Sequence, residues 1–141
     1  MSILVVYWTG TGNTEIMAEQ IYEGILSTGQ EAVLKSVEQI TVEAALEFDK
    51  IAFGCPSMGI ENLEEDDFEP FFEEIETQLG DKKIILFGSY GWGDGEWMDA
   101  WEDRCYDQNI QLIEKGLKIN STPSSKELEE CFELGVRFAN S

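Results

Sequence analysis

The stretch Ile3-Leu4-Val5-Val6-Tyr7-Trp8-Thr9-Gly10-Thr11-Gly12-Asn13-Thr14 carries the key to the fold. From Ile3 to Trp8 the chain is almost continuously apolar, β-branched or aromatic, the pattern of a strand buried on both faces of a parallel sheet. The run stops at Thr9. From Asn13 to about Ser27 the apolar residues Ile16, Met17, Ile21, Ile25 and Leu26 return at helical spacing, with Gly29 just beyond them. Strand, tight loop and helix follow one another with no spare residues.

The same alternation continues outward. Residues 32–37 read as a strand, 42–46 as a short helix, 49–54 as a strand, and 68–79 as a helix stopped at Gly80. Residues 82–88 form a fourth buried strand, and 96–108 a helix with Trp97, Met98 and Trp101 on its inner face. A weaker, interrupted strand spans 110–119. After the turn signal Thr122-Pro123-Ser124, a final helix covers 125–138. The pattern predicts an α/β protein: a doubly wound, five-stranded parallel sheet in the order 2-1-3-4-5, with right-handed crossovers and helices on both faces. No repeat or linker divides the chain, so one domain over residues 1–141 is expected.

Composition narrows the chemistry. The 141 residues are 43% hydrophobic, enough for a folded core despite a formal charge of −20 from 29 acidic and 9 basic residues. Such a charge repels nucleic acid and anionic membranes and attracts basic partners. There is no histidine, which removes the commonest general base and metal ligand and every Ser-His or Cys-His pair. Chemistry must therefore come from a cofactor. Cys55, Cys105 and Cys131 are widely spaced and odd in number, fitting neither a disulfide framework nor a metal cluster, and read as buried thiols. No apolar run approaches the roughly 20 residues of a membrane span, and no basic leader precedes the first strand, so a cytoplasmic location is expected.

In a sheet of this order ligands bind beyond the carboxyl ends of the strands, between strands 1 and 3 where the order reverses. The loop after strand 1, Thr9-Gly10-Thr11-Gly12-Asn13-Thr14, combines two glycines, hydroxyl and amide donors and the positive end of a helix, which makes an anion nest. It has no lysine for a Walker-type loop, and Glu15 stands where a dinucleotide fingerprint needs its third glycine. A monophosphate fits better than ATP or NAD. The loops after strands 3 and 4, Cys55-Pro56-Ser57-Met58-Gly59-Ile60-Glu61 and Ser89-Tyr90-Gly91-Trp92-Gly93-Asp94-Gly95-Glu96, reach the same edge. Core packing does not account for Trp92 among three glycines, whereas stacking on a flat ring does. Met58 could form the other side of such a sandwich, although alone it reads as ordinary gap-filling. Trp97 and Trp101, one helical turn apart, read as core.

The loops Thr9–Thr14, Cys55–Gly59 and Gly88–Gly93 resemble those of the flavodoxins, most closely the short-chain, clostridial type, and the resemblance spans nearly the whole chain. It implies a flavodoxin-like sheet and non-covalently bound FMN, with the phosphate on Thr9, Gly10, Thr11, Gly12, Asn13 and Thr14 near Ser89. The ring would lie between Met58 and Trp92, within the loops Pro56, Ser57, Gly59, Ile60 and Tyr90, Gly91, Gly93, with Glu61 on its pyrimidine side. The resemblance further implies that the Gly59-Ile60 peptide turns over on one-electron reduction to accept a hydrogen bond from the flavin. Ile60 departs from the small or polar residue usual there. If the turned peptide requires positive φ at this position, isoleucine opposes it by roughly 1–2 kcal/mol relative to glycine.

The role implied is that of a low-potential one-electron carrier between redox enzymes, a ferredoxin substitute, and not an enzyme in its own right. Its partners would be reductases and oxidoreductases with basic docking surfaces, met by a monomer through the acids Glu61, Glu64, Glu65, Asp66, Asp67 and Glu69. Two other readings share parts of this pattern. A phosphoryl-accepting receiver domain has the same sheet but needs an aspartate at the end of strand 3, where this chain has Gly54-Cys55. A small FMN-dependent reductase would need a proton donor beside the ring, and the loops offer no plausible one.

Overall fold

A computed structural model describes residues 2–58 and 62–141. Its elements are β1 (Ile3–Tyr7), α1 (Asn13–Leu26), β2 (Ala32–Ser36), α2 (Val42–Ala45), β3 (Lys50–Gly54), α3 (Phe68–Ile75), β4 (Lys83–Tyr90), α4 (Glu96–Asp107), β5 (Gln111–Leu112), β6 (Leu117–Asn120) and α5 (Ser125–Ala139). The strands pair in the order β2-β1-β3-β4-β5, all in parallel, with β6 also on β4.

Alternation along the strands splits the core in two. Leu4, Val6, Ile51, Phe53, Ile84 and Leu86 face α2, α3 and α4, where Phe68, Phe72, Trp97 and Trp101 close the layer. Ile3, Val5, Tyr7, Ala52, Ile85 and Phe87 face α1 and α5. Trp97 and Trp101 are both core residues, as their spacing predicts. Trp101 meets Phe68 and Phe72 edge-on at 5.5 and 5.7 Å between ring centroids.

The fifth strand is in two pieces. β5 pairs with Lys83 and Ile84, β6 with residues 87–90, and the chain between them leaves the sheet. The buried Glu102 of α4 accepts a 2.6 Å hydrogen bond from Gly116 N–H and holds this excursion. A strand at the sheet's edge tolerates such a break because only one neighbour loses pairing. α3 is shorter than its periodicity predicts, ending at Ile75, and Gly80 follows with φ of 56°.

Candidate functional site

β1, β3 and β4 deliver their following loops to one edge of the sheet, and these loops enclose a crevice of about 280 Å³. Three ties fix its frame. Trp8 N–H donates to Gly54 C=O at 3.0 Å, Cys55 N–H to Phe87 C=O at 3.1 Å, and Ser57 N–H to Ser89 C=O at 2.9 Å, so pairing persists beyond the strand ends. Behind them the Trp97 indole N–H donates to Cys55 C=O at 3.3 Å.

The α1 end of the crevice presents backbone donors. Gly12, with φ of 100°, is the N-cap of α1 and brings no side-chain cap to it, so the first-turn N–H groups face outward unclaimed by a capping oxygen. Gly12 N–H itself donates to Thr9 Oγ1 at 3.0 Å, which curls the loop. Gly10, Thr11 and Asn13 line the crevice, whose described walls contain no lysine or arginine. A phosphate there would meet dipoles and hydroxyls rather than a cation. Thr14 is buried, and its hydroxyl is 3.0 Å from Ser89 Oγ.

Pro56, Ser57 and Met58 form the second wall; Ser89, Tyr90 and Gly91 form the third. Met58 is 37% exposed and turns an apolar side chain to the opening. Trp92 is not part of the lining and stands in solvent, 72% exposed, next to Gly93 with φ of 88°. Gly59, Ile60 and Glu61 lie outside the described residues.

Two lining residues escaped the sequence reading. Trp8 was absorbed into the first strand, yet its ring lies over Gly10, where a Cβ would come within 3.1 Å of it. Ser121 sits at φ of 61°, donates its N–H to Tyr90 C=O at 2.7 Å and reaches the crevice from β6. The sequence reading passed over it, between the strand that ends at 119 and the turn signal Thr122-Pro123-Ser124.

The acidic cluster is not uniform. Glu65, Asp66 and Asp67 are exposed, but Glu64 is buried and its carboxylate accepts the N–H groups of Asp66, Asp67 and Phe68, each at 2.8 Å. Glu69 pairs with Arg104, which also grips Glu76 and lies over the Phe72 ring at 5.0 Å. Glu64 therefore serves the start of α3 and, being buried, does not face the partner expected for it, while Glu69 joins α3 to α4 through Arg104. The helix start draws Glu64 inward, and a cation on the neighbouring helix claims Glu69.

Cys55, Cys105 and Cys131 are free and buried, and burial pushes each thiol well above its ordinary range, to about 12 for the latter two. No described group of His, Cys, Asp and Glu could hold a metal ion.

A doubly wound sheet with a lysine-free, glycine-containing loop and an uncapped helix start at its switch point is the arrangement of a nucleotide-binding α/β protein. The flavodoxin family model matches residues 5–135, and the chain belongs to the flavodoxin family; the named flavodoxins it resembles are FMN-binding electron-transfer proteins rather than enzymes. It is 44% identical over 136 residues to the flavodoxin of Clostridium beijerinckii, covering 96% of this chain and 98% of that one. It is equally 44% identical over 131 residues to the flavodoxin of Megasphaera elsdenii, covering 93% of each. The solution structure of two-electron reduced Megasphaera elsdenii flavodoxin superposes with a TM-score of 0.87 at 42% identity, covering 99% of both chains. These relatives are of the clostridial type expected from the loops, and they favour neither a receiver domain nor a reductase.

Proposed function

We propose that residues 1–141 form one domain that seats FMN in the crevice, with its phosphate on Thr9, Gly10, Thr11, Gly12, Asn13 and Thr14 and on Ser89. The observation that carries this reading is the N-terminus of α1, left without a side-chain cap by Gly12 and opening on the crevice. Pro56, Ser57 and Met58 take one face of the ring, with Gly59, Ile60 and Glu61 continuing that loop. Tyr90, Gly91, Trp92 and Gly93 take the other face, and the exposed Trp92 gains an apolar partner when it covers the ring. Trp8 and Ser121 complete the walls.

FMN supplies the electron chemistry, and the chain binds it, orients it and sets its potential. Nothing in the described walls offers a cation to an added electron, while the −20 charge opposes it, which favours a low potential. Glu65, Asp66 and Asp67 lie near the Met58 rim and support weak, salt-sensitive docking of redox proteins with basic surfaces. A monomer in the cytoplasm suits such a shuttle; among the described residues no helix is long and apolar enough to cross a membrane.

The test is a visible spectrum of the purified protein during stepwise anaerobic reduction. A yellow protein that releases FMN on denaturation and takes up electrons one at a time supports this function. A colourless protein that fails to bind added FMN refutes it.

A further inference from the structure

Met58 and Asn62 lie between β3 and α3. Met58 and Asn62 exchange both backbone hydrogen bonds, Met58 N–H to Asn62 C=O at 2.7 Å and Asn62 N–H to Met58 C=O at 2.8 Å. The limb that leads to Met58 is fixed by the ties of Cys55 and Ser57 to Phe87 and Ser89 of β4. Among the described residues no strand lies beside the limb from Asn62 to Asp67, and another device holds it in place.

That device is Glu64, which is 5% exposed and engaged through every polar group it has. Its N–H donates to Cys55 Sγ at 3.4 Å and its C=O accepts from Glu69 N–H at 2.8 Å. Oε2 accepts from Asp66 N–H, and Oε1 from both Asp67 and Phe68 N–H. The N-cap residue Asp67 makes no side-chain bond of its own. A buried carboxylate is costly unless its oxygens are satisfied, and here the N–H groups at the start of α3 satisfy them. An ordinary N-cap of Ser, Asp or Asn would finish the helix equally well from an exposed position. A glutamate buried against the Cys55 thiol does more, because it ties the start of α3 to the end of β3 and encloses the Met58–Asn62 pair between the two.

We infer that Glu64, with Cys55 as the acceptor for its backbone, is a positioning residue for the cofactor crevice: it fixes the limb from Asn62 to Asp67 and, through the Met58–Asn62 pair, holds Met58 at the crevice wall. The inference rests on the reading of that crevice as the FMN site. Neither residue lines the crevice, so any effect on FMN runs through Met58 and Asn62.

Amide hydrogen exchange on flavin-free protein, with FMN titration and potentiometry on the loaded protein, tests this in Glu64→Gln, Cys55→Ala and Cys55→Ser. Glu65→Gln, an exposed neighbour with the same change of charge, is the control. Glu64→Gln and Cys55→Ala should speed exchange at the Met58 and Asn62 amides about tenfold and weaken FMN about 5- to 10-fold. Both should also move the first midpoint potential beyond the control, while Cys55→Ser, which keeps an acceptor, should stay near the parent. Faster exchange confined to residues 66–68, with the affinity and potential of the control, reduces Glu64 to a helix cap and overturns the inference. If the parent chain binds no FMN, the crevice reading fails, and exchange at Met58 and Asn62 still decides whether Glu64 holds the rim.

Discussion

The hydroxyls of Thr14 and Ser89 lie 3.0 Å apart in the interior, joining the first turn of α1 to the end of β4 across 75 positions of sequence. Ser89 N–H also reaches Thr14 Oγ1, at 3.4 Å. The pair sets the distance between the anion loop and the third wall of the crevice. Thr14→Val or Ser89→Ala strands the remaining polar group and should cost about 1–2 kcal/mol in urea unfolding. The double variant should lose less than the sum, because both single changes break the same bond. FMN affinity should fall in each.

α1 and α5 touch backbone to backbone. A Cβ on Gly24 would come within 2.0 Å of Phe132 carbonyl oxygen, and one on Gly135 within 2.1 Å of Ile21 carbonyl oxygen. Alanine is ordinarily the better helix former by about 1 kcal/mol. Here the helices must separate to admit it, so Gly24→Ala and Gly135→Ala should each destabilise the protein by roughly 2–4 kcal/mol. Thermal unfolding gives the sign directly.

Tyr7 lies at the end of β1, where burial first and then its 2.9 Å hydrogen bond to Glu15 raise its phenol from 10.0 to about 12. A raised value favours the neutral phenol in the folded state. This contribution to stability is complete below pH 10 and is lost as pH rises through about 12. Of the four tyrosines, one should therefore ionise late in an ultraviolet titration of the native protein. Tyr7→Phe should remove that late step and flatten the fall in stability between pH 10 and 12.

The three thiols are buried and held in the protonated form. Reaction with a thiol reagent at neutral pH should be negligible in the native protein and should count three groups after denaturation. A fast-reacting thiol in the folded protein would contradict the packing of Cys55 beneath the crevice.

Glu65, Asp66 and Asp67 are consecutive exposed acids, the first two lining a groove with Met58. A carboxylate about 10 Å from the flavin in water-like dielectric adds roughly 0.4 kcal/mol to the cost of an extra electron, about 15–20 mV. Replacing all three by their amides should raise the midpoint by a few tens of millivolts at low ionic strength, less in high salt, and should slow electron transfer to a basic partner. Potentiometry at two salt concentrations measures the first effect and stopped-flow kinetics the second.

The apolar runs made the sheet readable before any coordinates: β1, β3 and β4 are buried on both faces, and such strands leave an uninterrupted signature that local turns punctuate. The order of the strands followed from handedness and economy of connection, and the three loops at the switch edge followed from the order. Less was legible where a residue's role depends on a distant neighbour. Trp8 reads as one more strand residue until Gly10 folds back under its ring, and Ser121 goes unread between the last strand and the turn until Tyr90 binds its N–H. The break between β5 and β6 was visible as a weakened pattern, but not the Glu102 that secures it.

The chain by itself determined the α/β class, the glycine-containing loop at the end of β1 and the absence of histidine, because periodicity, glycine placement and residue type are local properties. Tertiary structure alone decided what the acids do. Glu64 and Glu69 differ little in sequence from Glu65 and Asp66, yet one is enclosed by the start of α3 and the other paired with Arg104. Whether a charge faces water, a helix end or a cation is fixed by packing between segments far apart in the chain, and it is there that a carboxylate acquires its function.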